Sequence, residues 1–223
     1  MQGLSPTIVI AIDGPSGSGK STVARGVATH LGLRYLDTGA MYRAVTWLAL
    51  QRGVALADTA ALAQLAEQAE LDVSTDASAV VVRADGHDVT TAIREADVTT
   101  AVSQVSAVPG VRSAMLRRQR DVIGGGGIVV EGRDIGTTVA PDAAVKIFLT
   151  AAADARAKRR ASEIAGGLSA TKAALDRRDA LDSGRAASPL AQAPDALVLD
   201  STHLTAEDVI ARVVAAATAV NAS

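Results

Sequence analysis

The chain contains no cysteine, which excludes disulfides and thiolate metal sites and is compatible with a reducing compartment. Aromatic residues are only 2% of the total and the formal net charge is -2. A dedicated DNA or RNA binder ordinarily carries a basic footprint and stacking aromatics, so no nucleic-acid partner is expected. The three histidines, His30, His87 and His203, are scattered without metal-ligand spacing. The segment MQGLSPTIVIAID lacks a basic stretch ahead of its apolar run, and that run is too short to cross a bilayer. A soluble, untargeted, cytoplasmic protein with no membrane partner is the expectation. Asparagine occurs once, at Asn221, so the Asn-Lys-x-Asp element by which GTPase switches read guanine is missing.

What the chain does have is 223 residues of which 48% are apolar, dominated by Ala, Val and Leu. That suffices for one globular domain with a sizeable insertion. Apolar runs alternate with amphipathic stretches, the pattern of an α/β fold with a parallel sheet. Strands are predicted over 7–12, 128–131, 145–150 and 196–199, with Tyr35 and Leu36 as a short fifth. Helical spacing links Val23, Val27 and Leu31; Met41, Val45 and Leu48; and Val209, Val213 and Ala216–Ala217. Thr205 and Asp208 form a capping signature for the last of these. The segment ADTAALAQLAEQAEL reads as a helix capped by Asp58 or Thr59. VVVRADGHDV reads as two short strands around an Asp85-Gly86 turn. These break the βα rhythm, so residues 36–109 are expected to be an inserted lobe, closed by Pro109 at the start of the next helix. The glycines at 124–127 end that helix and return the chain to the sheet.

The stretch GPSGSGKST, Gly14 to Thr22, matches G-x-x-x-x-G-K-[ST] in full and lies between a predicted strand and a predicted helix. Its glycines let successive N–H groups and the helix N-terminus face phosphate oxygens. Gly14, Pro15, Ser16, Gly17, Ser18, Gly19, Lys20, Ser21 and Thr22 are therefore the candidate triphosphate site. Within it Lys20 reaches the β and γ phosphates, and the Ser21 hydroxyl serves Mg²⁺. The motif fixes a donor and leaves the acceptor open.

Three further clusters bear on that acceptor. YLDTGAMYR, Tyr35 to Arg43, begins where a second strand ends, so Asp37, Thr38 and Arg43 either face the crevice or simply open a capped helix. IVVEGRDIGT brings Glu131, Arg133 and Asp134 to the sheet edge that carries the triphosphate loop. There they act as ligands for water-bound Mg²⁺, a phosphate and a hydrogen-bond donor, or form a structural ion pair. DARAKRR and RRDALDSGR carry Arg156, Arg160, Arg178 and Arg185 as possible forks for phosphate oxygens, with Asp179 and Asp182 holding those forks; solvated helix faces are the other reading. No Ser-His-Asp arrangement, paired-carboxylate arrangement or general base emerges. An acceptor phosphate needs none, since its second pKa is near 6 and it is already anionic at neutral pH. Its difficulty is repulsion by the donor, which arginines and Mg²⁺ relieve.

Taken in order, GPSGSGKST, LDTGAMYR, SQVSAVPGVRSAMLRRQR, EGRDIGT, VKIFLT, RRDALDSGRAASPL and ALVLDST resemble the bacterial cytidylate kinases over almost the whole chain. The resemblance implies a three-layer P-loop kinase fold of the α/β class: a five-stranded parallel sheet flanked by helices, an inserted NMP-binding lobe and a short lid. In that scheme residues 1–35 and 110–223 are the core, 36–109 the lobe with a family-type insertion at about 64–100, and about 154–168 the lid. It implies γ-phosphoryl transfer from ATP to CMP or dCMP with Mg²⁺, by a monomer. Thr38, Arg43 and Arg133 would face the acceptor phosphate; Ser103, Arg112 and Asp134 the cytosine; Arg178 and Asp182 the sugar; and Arg185 the phosphates. Lys20, Arg133, Arg156, Arg160 and Arg185 would be the catalytic cations. Asp134 as acceptor suits the N4 amine of cytosine, and uracil would meet it carbonyl to carboxylate.

Overall fold

A computed structural model of the chain describes residues 5–163, 168–185 and 188–221. It divides into two compact units, one of residues 1–35 with 125–223 and one of Leu36–Gly124. The first unit is built on a five-stranded sheet of β1 (Val9–Asp13), β2 (Arg34–Asp37), β6 (Ile128–Gly132), β7 (Val145–Thr150) and β8 (Leu197–Asp200), in the order β2-β6-β1-β7-β8. Strand β1 runs parallel to β6, with Ile12 opposite Glu131, and to β7, with Ile12 opposite Ile147. Each predicted strand is present. The β-branched residues Ile10, Ile12, Val129 and Val130 are fully buried, as central parallel strands covered on both faces require. The chain crosses from β1 to one side of the sheet and later to the other. The crevice beyond the C-terminal end of β1 is thus the topological switch point where ligands bind in open α/β sheets.

Helices α1 (Lys20–Leu31), α6 (Ala153–Glu163), α7 (Leu168–Ser183) and α8 (Ala206–Asn221) belong to this unit. Val23 and Val27 of α1 and Val209, Val213 and Ala217 of α8 are buried. A methyl group on Gly26 would lie 2.3 Å from Ile210 Cδ1, so α1 and α8 pack at close range. The capping box is reciprocal: the Thr205 hydroxyl accepts from Asp208 N at 3.1 Å, and Asp208 Oδ2 accepts from Thr205 N at 3.1 Å. Of the lid expected at 154–168, α6 covers the first part and residues 164–167 lie outside the described residues.

The inserted unit holds α2 (Thr38–Gln51), α3 (Thr59–Gln68), α4 (Ala96–Ala107), α5 (Pro109–Ile123) and an antiparallel sheet of β3 (Leu71–Val73), β4 (Val82–Ala84) and β5 (His87–Asp88). Asp58, rather than Thr59, caps α3 by accepting from Ala61 N at 2.9 Å. Asp85 and Gly86 have φ of 48° and 79°, both positive as a tight hairpin turn demands. Pro109 opens α5 as expected. The compact boundary, however, falls at Gly124 and not at Pro109, because α5 packs against α3: a methyl on Gly110 would meet Ala63 Cβ at 2.4 Å.

Candidate active site

The loop from Gly14 to Gly19 joins β1 to α1. A Cβ at Gly14 would lie 2.0 Å from the Leu149 carbonyl oxygen of β7, and φ there is +150°; no other residue fits this position without moving the strand. Gly19 is the N-cap of α1 and offers no side-chain acceptor. The orphan N–H groups of the first turn are therefore left for an anion. Lys20 is 6% exposed, and its ammonium donates to the Pro15 carbonyl at 2.8 Å and to Ser18 Oγ at 3.5 Å. Burial, then the neighbouring Arg133, lower its pKa from 10.5 to about 7, with Glu131 opposing and Arg178 adding to the fall. Ser21 and Thr22 are exposed at the mouth of this loop.

The strand ends beside it carry buried acids. Asp13, at the end of β1, accepts from Ile135 N at 2.8 Å and from Gly136 N at 2.7 Å. It thereby ties the strand that leads into the triphosphate loop to the backbone just after Arg133 and Asp134. Burial raises its pKa to about 6 against the pull of those two N–H groups. Residues 135–139 form a single π-helical turn capped by Asp134, with Ala140 N donating to Ile135 O at 2.8 Å. Such wide turns recur at functional sites. Glu131, also buried, accepts a hydrogen bond from the Tyr35 hydroxyl. Asp134 is 5% exposed.

The arginines are gathered by the acids of α7. Asp182 accepts from Arg133 Nε at 2.9 Å and lies 3.9 Å from Arg185 Nη1, so one buried carboxylate sits between two guanidinium groups. The Arg185 Nε also donates to the Asp182 carbonyl at 3.2 Å. Asp179 pairs with Arg156 of α6. Arg178 Nη1 donates to Ser16 Oγ at 3.3 Å. Arg160, in the last turn of α6, is half-buried. Arg133, Asp182 and Arg185 thus form one linked group, and Arg156, Asp179 and Arg178 a second one gathered on Ser16 of the loop that also holds Lys20.

Residues that the sequence reading did not single out complete this end of the unit. Arg159 donates to Ser201 Oγ at 2.9 Å and to the Ser201 carbonyl at 2.6 Å. With Gly17, Thr22, Ser201, Leu204 and Thr205 it lines a cavity of about 290 Å³. Asp13 was visible as an acid ending an apolar run, and Arg159 as lying on the same turn of α6 as Arg156 and Arg160. Their partners, backbone groups of distant segments and the Ser201 hydroxyl, left no mark as such in the sequence.

The inserted unit carries Thr38, Arg43, Ser103 and Arg112. Asp37 caps α2 by accepting from Ala40 N at 3.0 Å, and the Thr38 that follows is buried. Arg43 donates from Nη1 to the Ile93 carbonyl at 3.0 Å and to Thr99 Oγ1 at 2.9 Å, which fixes its fork between α2 and α4. Arg112 lies over the Tyr42 ring at 5.5 Å and donates to the Ser106 carbonyl at 3.4 Å. Such stacking is worth about 2 kcal/mol when desolvated. Ser103 and Ser106 are buried on α4, and the Ser106 hydroxyl donates to the Ser103 carbonyl at 3.2 Å. A wider cavity of this unit, about 590 Å³, is lined by Met41, Glu70, Asp72, Arg83, Arg118 and Asp121, none of them a predicted site residue.

The chain is 52% identical over 211 residues to a cytidylate kinase of Streptomyces griseus, covering 93% of this chain and 91% of that one. It is 49% identical over 210 residues to a cytidylate kinase of Limosilactobacillus fermentum, covering 91% and 92%. A bifunctional pantoate ligase/cytidylate kinase of Synechococcus is 52% identical over 214 residues; the chain spans only 40% of that protein's length. Among solved structures, an uncharacterized protein from Eubacterium ventriosum matches with a TM-score of 0.54 at 11% identity, over 96% of this chain and 99% of that one, a likeness of fold alone. The family model described as cytidylate kinase matches residues 10–219, and by that extent of agreement the chain belongs to the cytidylate kinase family.

Proposed function

We propose that the chain transfers the γ-phosphoryl group of ATP to CMP or dCMP, giving ADP and CDP or dCDP. The observation that carries this reading is the Arg133–Asp182–Arg185 arrangement beside the Lys20 loop: cations fixed for a second anion next to a triphosphate site, with no general base among them. In the reaction an oxygen of the acceptor phosphate attacks Pγ in line. The bond between Pγ and the β–γ bridging oxygen breaks, and ADP leaves with its electrons. Lys20, Arg133, Arg160 and Arg185 offset the charge that the two polyanions bring together, and Arg156 adds its charge from its place on the loop backbone.

Thr38, Arg43 and Arg133 take the acceptor phosphate, and Arg178 and Asp182 the sugar. Ser103 and Arg112 donate to O2 and N3 of cytosine while Asp134 accepts from its amine. The cavity beside Arg159 takes the donor's adenine. The inserted unit acts as the acceptor lobe and the segment from 154 as the lid.

Mg²⁺ fits this donor set. It keeps its waters and prefers substrate phosphates to an all-protein cage, and Ser21 offers one exposed hydroxyl at the phosphate mouth. The nearby carboxylates already hold other partners, Asp13 two N–H groups and Glu131 the Tyr35 hydroxyl. When bound, the ion neutralises and bridges the β and γ oxygens of the donor. The reading extends to action as a monomer in the cytoplasm on small molecules, without nucleic acid; the net charge of -2 supports the last point.

The test is ADP release from ATP and Mg²⁺ with CMP, dCMP, UMP, AMP and GMP offered separately. CMP or dCMP is expected to give the fastest turnover. Faster turnover of UMP or AMP would sink the reading.

A further inference from the structure

Ser16, the third residue of the triphosphate loop, is held on each of its polar groups. Its N–H donates to Asp179 Oδ1 at 3.0 Å, its carbonyl accepts from Arg156 Nη1 at 3.0 Å, and its hydroxyl accepts from Arg178 Nη1 at 3.3 Å. Arg156 closes a ring: Nη1 also pairs with Asp179 Oδ2, and Nε donates to the Ala151 carbonyl at 3.2 Å. The side chains of Arg156 and Asp179 are 10% and 17% exposed, so solvent screens the pair weakly.

The position of Ser16 decides what this ring does. It lies three residues ahead of Gly19, the N-cap of α1, so its N–H is not one of the orphan donors that make a helix N-terminus an anion site. Asp179 therefore occupies a donor outside that first turn. Backbone packing points the same way. A methyl on Gly17 would lie 3.2 Å from the Arg156 carbonyl oxygen and 3.3 Å from its Cβ, which leaves loop and helix in direct contact.

We propose that Asp179 is a positioning residue for the phosphoryl donor: it locks Arg156 onto the backbone of Ser16 and so sets the shape of the loop before ATP arrives. This rests on the reading of Gly14–Thr22 as the donor site. A loop already in its bound shape spares ATP the cost of ordering it. The contrary role for a carboxylate on a phosphate-loop N–H is competition with phosphate, and the two roles move ATP affinity in opposite directions.

The test compares wild type with Asp179→Asn, Arg156→Gln, the double variant, and Asp176→Ala, an exposed control one turn earlier on α7. ATP affinity is measured by calorimetry without acceptor, and KM for ATP and for CMP by a coupled assay. Asp179→Asn is expected to weaken ATP about tenfold or more, the scale of one lost charge-assisted hydrogen bond. KM for CMP should stay within about twofold, since the clamp acts on the donor loop alone. The double variant should bind ATP no worse than the poorer single variant, and Asp176→Ala should behave as wild type.

ATP binding as tight as wild type or tighter in Asp179→Asn overturns the proposal, as do additive losses in the double variant or equal rises in both KM values. Should Asp179→Asn fail to fold because Arg156 is left alone in the interior, the double variant removes both charges and carries the test by the same ATP readout. If wild type turns over no CMP while Asp179→Asn still loses ATP affinity, the cytidylate reading fails and the clamp stands.

Discussion

ATP binding should draw a proton from solution, because Lys20 is held at a pKa of about 7 in the ligand-free site. Burial is the main cause, and Arg133 and Arg178 add repulsion. The negative charge of a triphosphate beside the amine outweighs both influences and restores the ammonium. At pH 7.5 a large share of ligand-free molecules carries neutral Lys20, so a fraction of a proton is taken up per ATP, rising toward about one at pH 9. Over the same range the ATP dissociation constant should rise on the order of tenfold, as the charged form needed for binding is depleted. Starting at pH 7.5 keeps the nucleotide's own phosphate titration out of the window. Titration calorimetry in two buffers of different ionisation enthalpy measures the uptake directly. Lys20→Arg should abolish the uptake even where affinity falls, since arginine stays charged throughout. A pH-independent dissociation constant between 7.5 and 9, with no buffer dependence of the enthalpy, would refute the reasoning. The same depression has a cost in stability. The unfolded chain binds more protons than the folded one between pH 7 and 10.5, so ligand-free stability climbs with pH across that window.

Asp13 has the opposite sign. Its folded-state pKa of about 6 exceeds the ordinary 3.8, so the folded chain binds more protons in that interval and this group's contribution falls as pH rises through it. The melting temperature of wild type minus that of Asp13→Asn should therefore be larger at pH 4.5 than at pH 7.5; equal differences would remove the basis for the argument. Asp134→Ala should raise KM for CMP by about tenfold or more while ATP affinity stays near wild type, because it strips the acceptor for the base amine alone. Parallel loss of both would mean the residue has another task. Gly110→Ala should destabilise the inserted unit by about 1–3 kcal/mol through overpacking, since the new methyl meets Ala63 Cβ at 2.4 Å. A melting temperature unchanged within a degree would show that α3 yields.

Features set by local chemistry were legible in the sequence. Runs such as IVIAID and VKIFLT could hardly be other than buried strands. The Asp58 cap, the Thr205–Asp208 box and the Asp85-Gly86 turn are short-range hydrogen bonds or backbone preferences that a few residues determine. Helix α4 was not identified, because ADVTTAVSQVSA is rich in Thr, Val and Ser, residues with little intrinsic helix preference. Its helicity is enforced by burial of Val98, Val102 and Val105 against its neighbours. Pro109 marked a helix start, and the close approach at Gly110 draws α5 into the compact unit that ends at Gly124.

The candidate site divides along the same line. A glycine-rich loop announces its anion because the chemistry is in consecutive residues. The wiring that makes the loop usable is spread over segments more than a hundred residues apart: Asp13 to Ile135 and Gly136, Asp179 to Ser16, Arg159 to Ser18. In each case a charged side chain meets a backbone group, and a backbone group has no letter in the sequence. The arginines could be counted beforehand, but not apportioned between anchoring the loop and meeting phosphate. Their acids make that division. Asp182 holds Arg133 and Arg185 together at the strand end, whereas Asp179 turns Arg156 inward onto the loop itself. A pair of aspartates one turn apart on α7 thus sets two arginine groups to different tasks, and exchanging either acid should disturb one substrate more than the other.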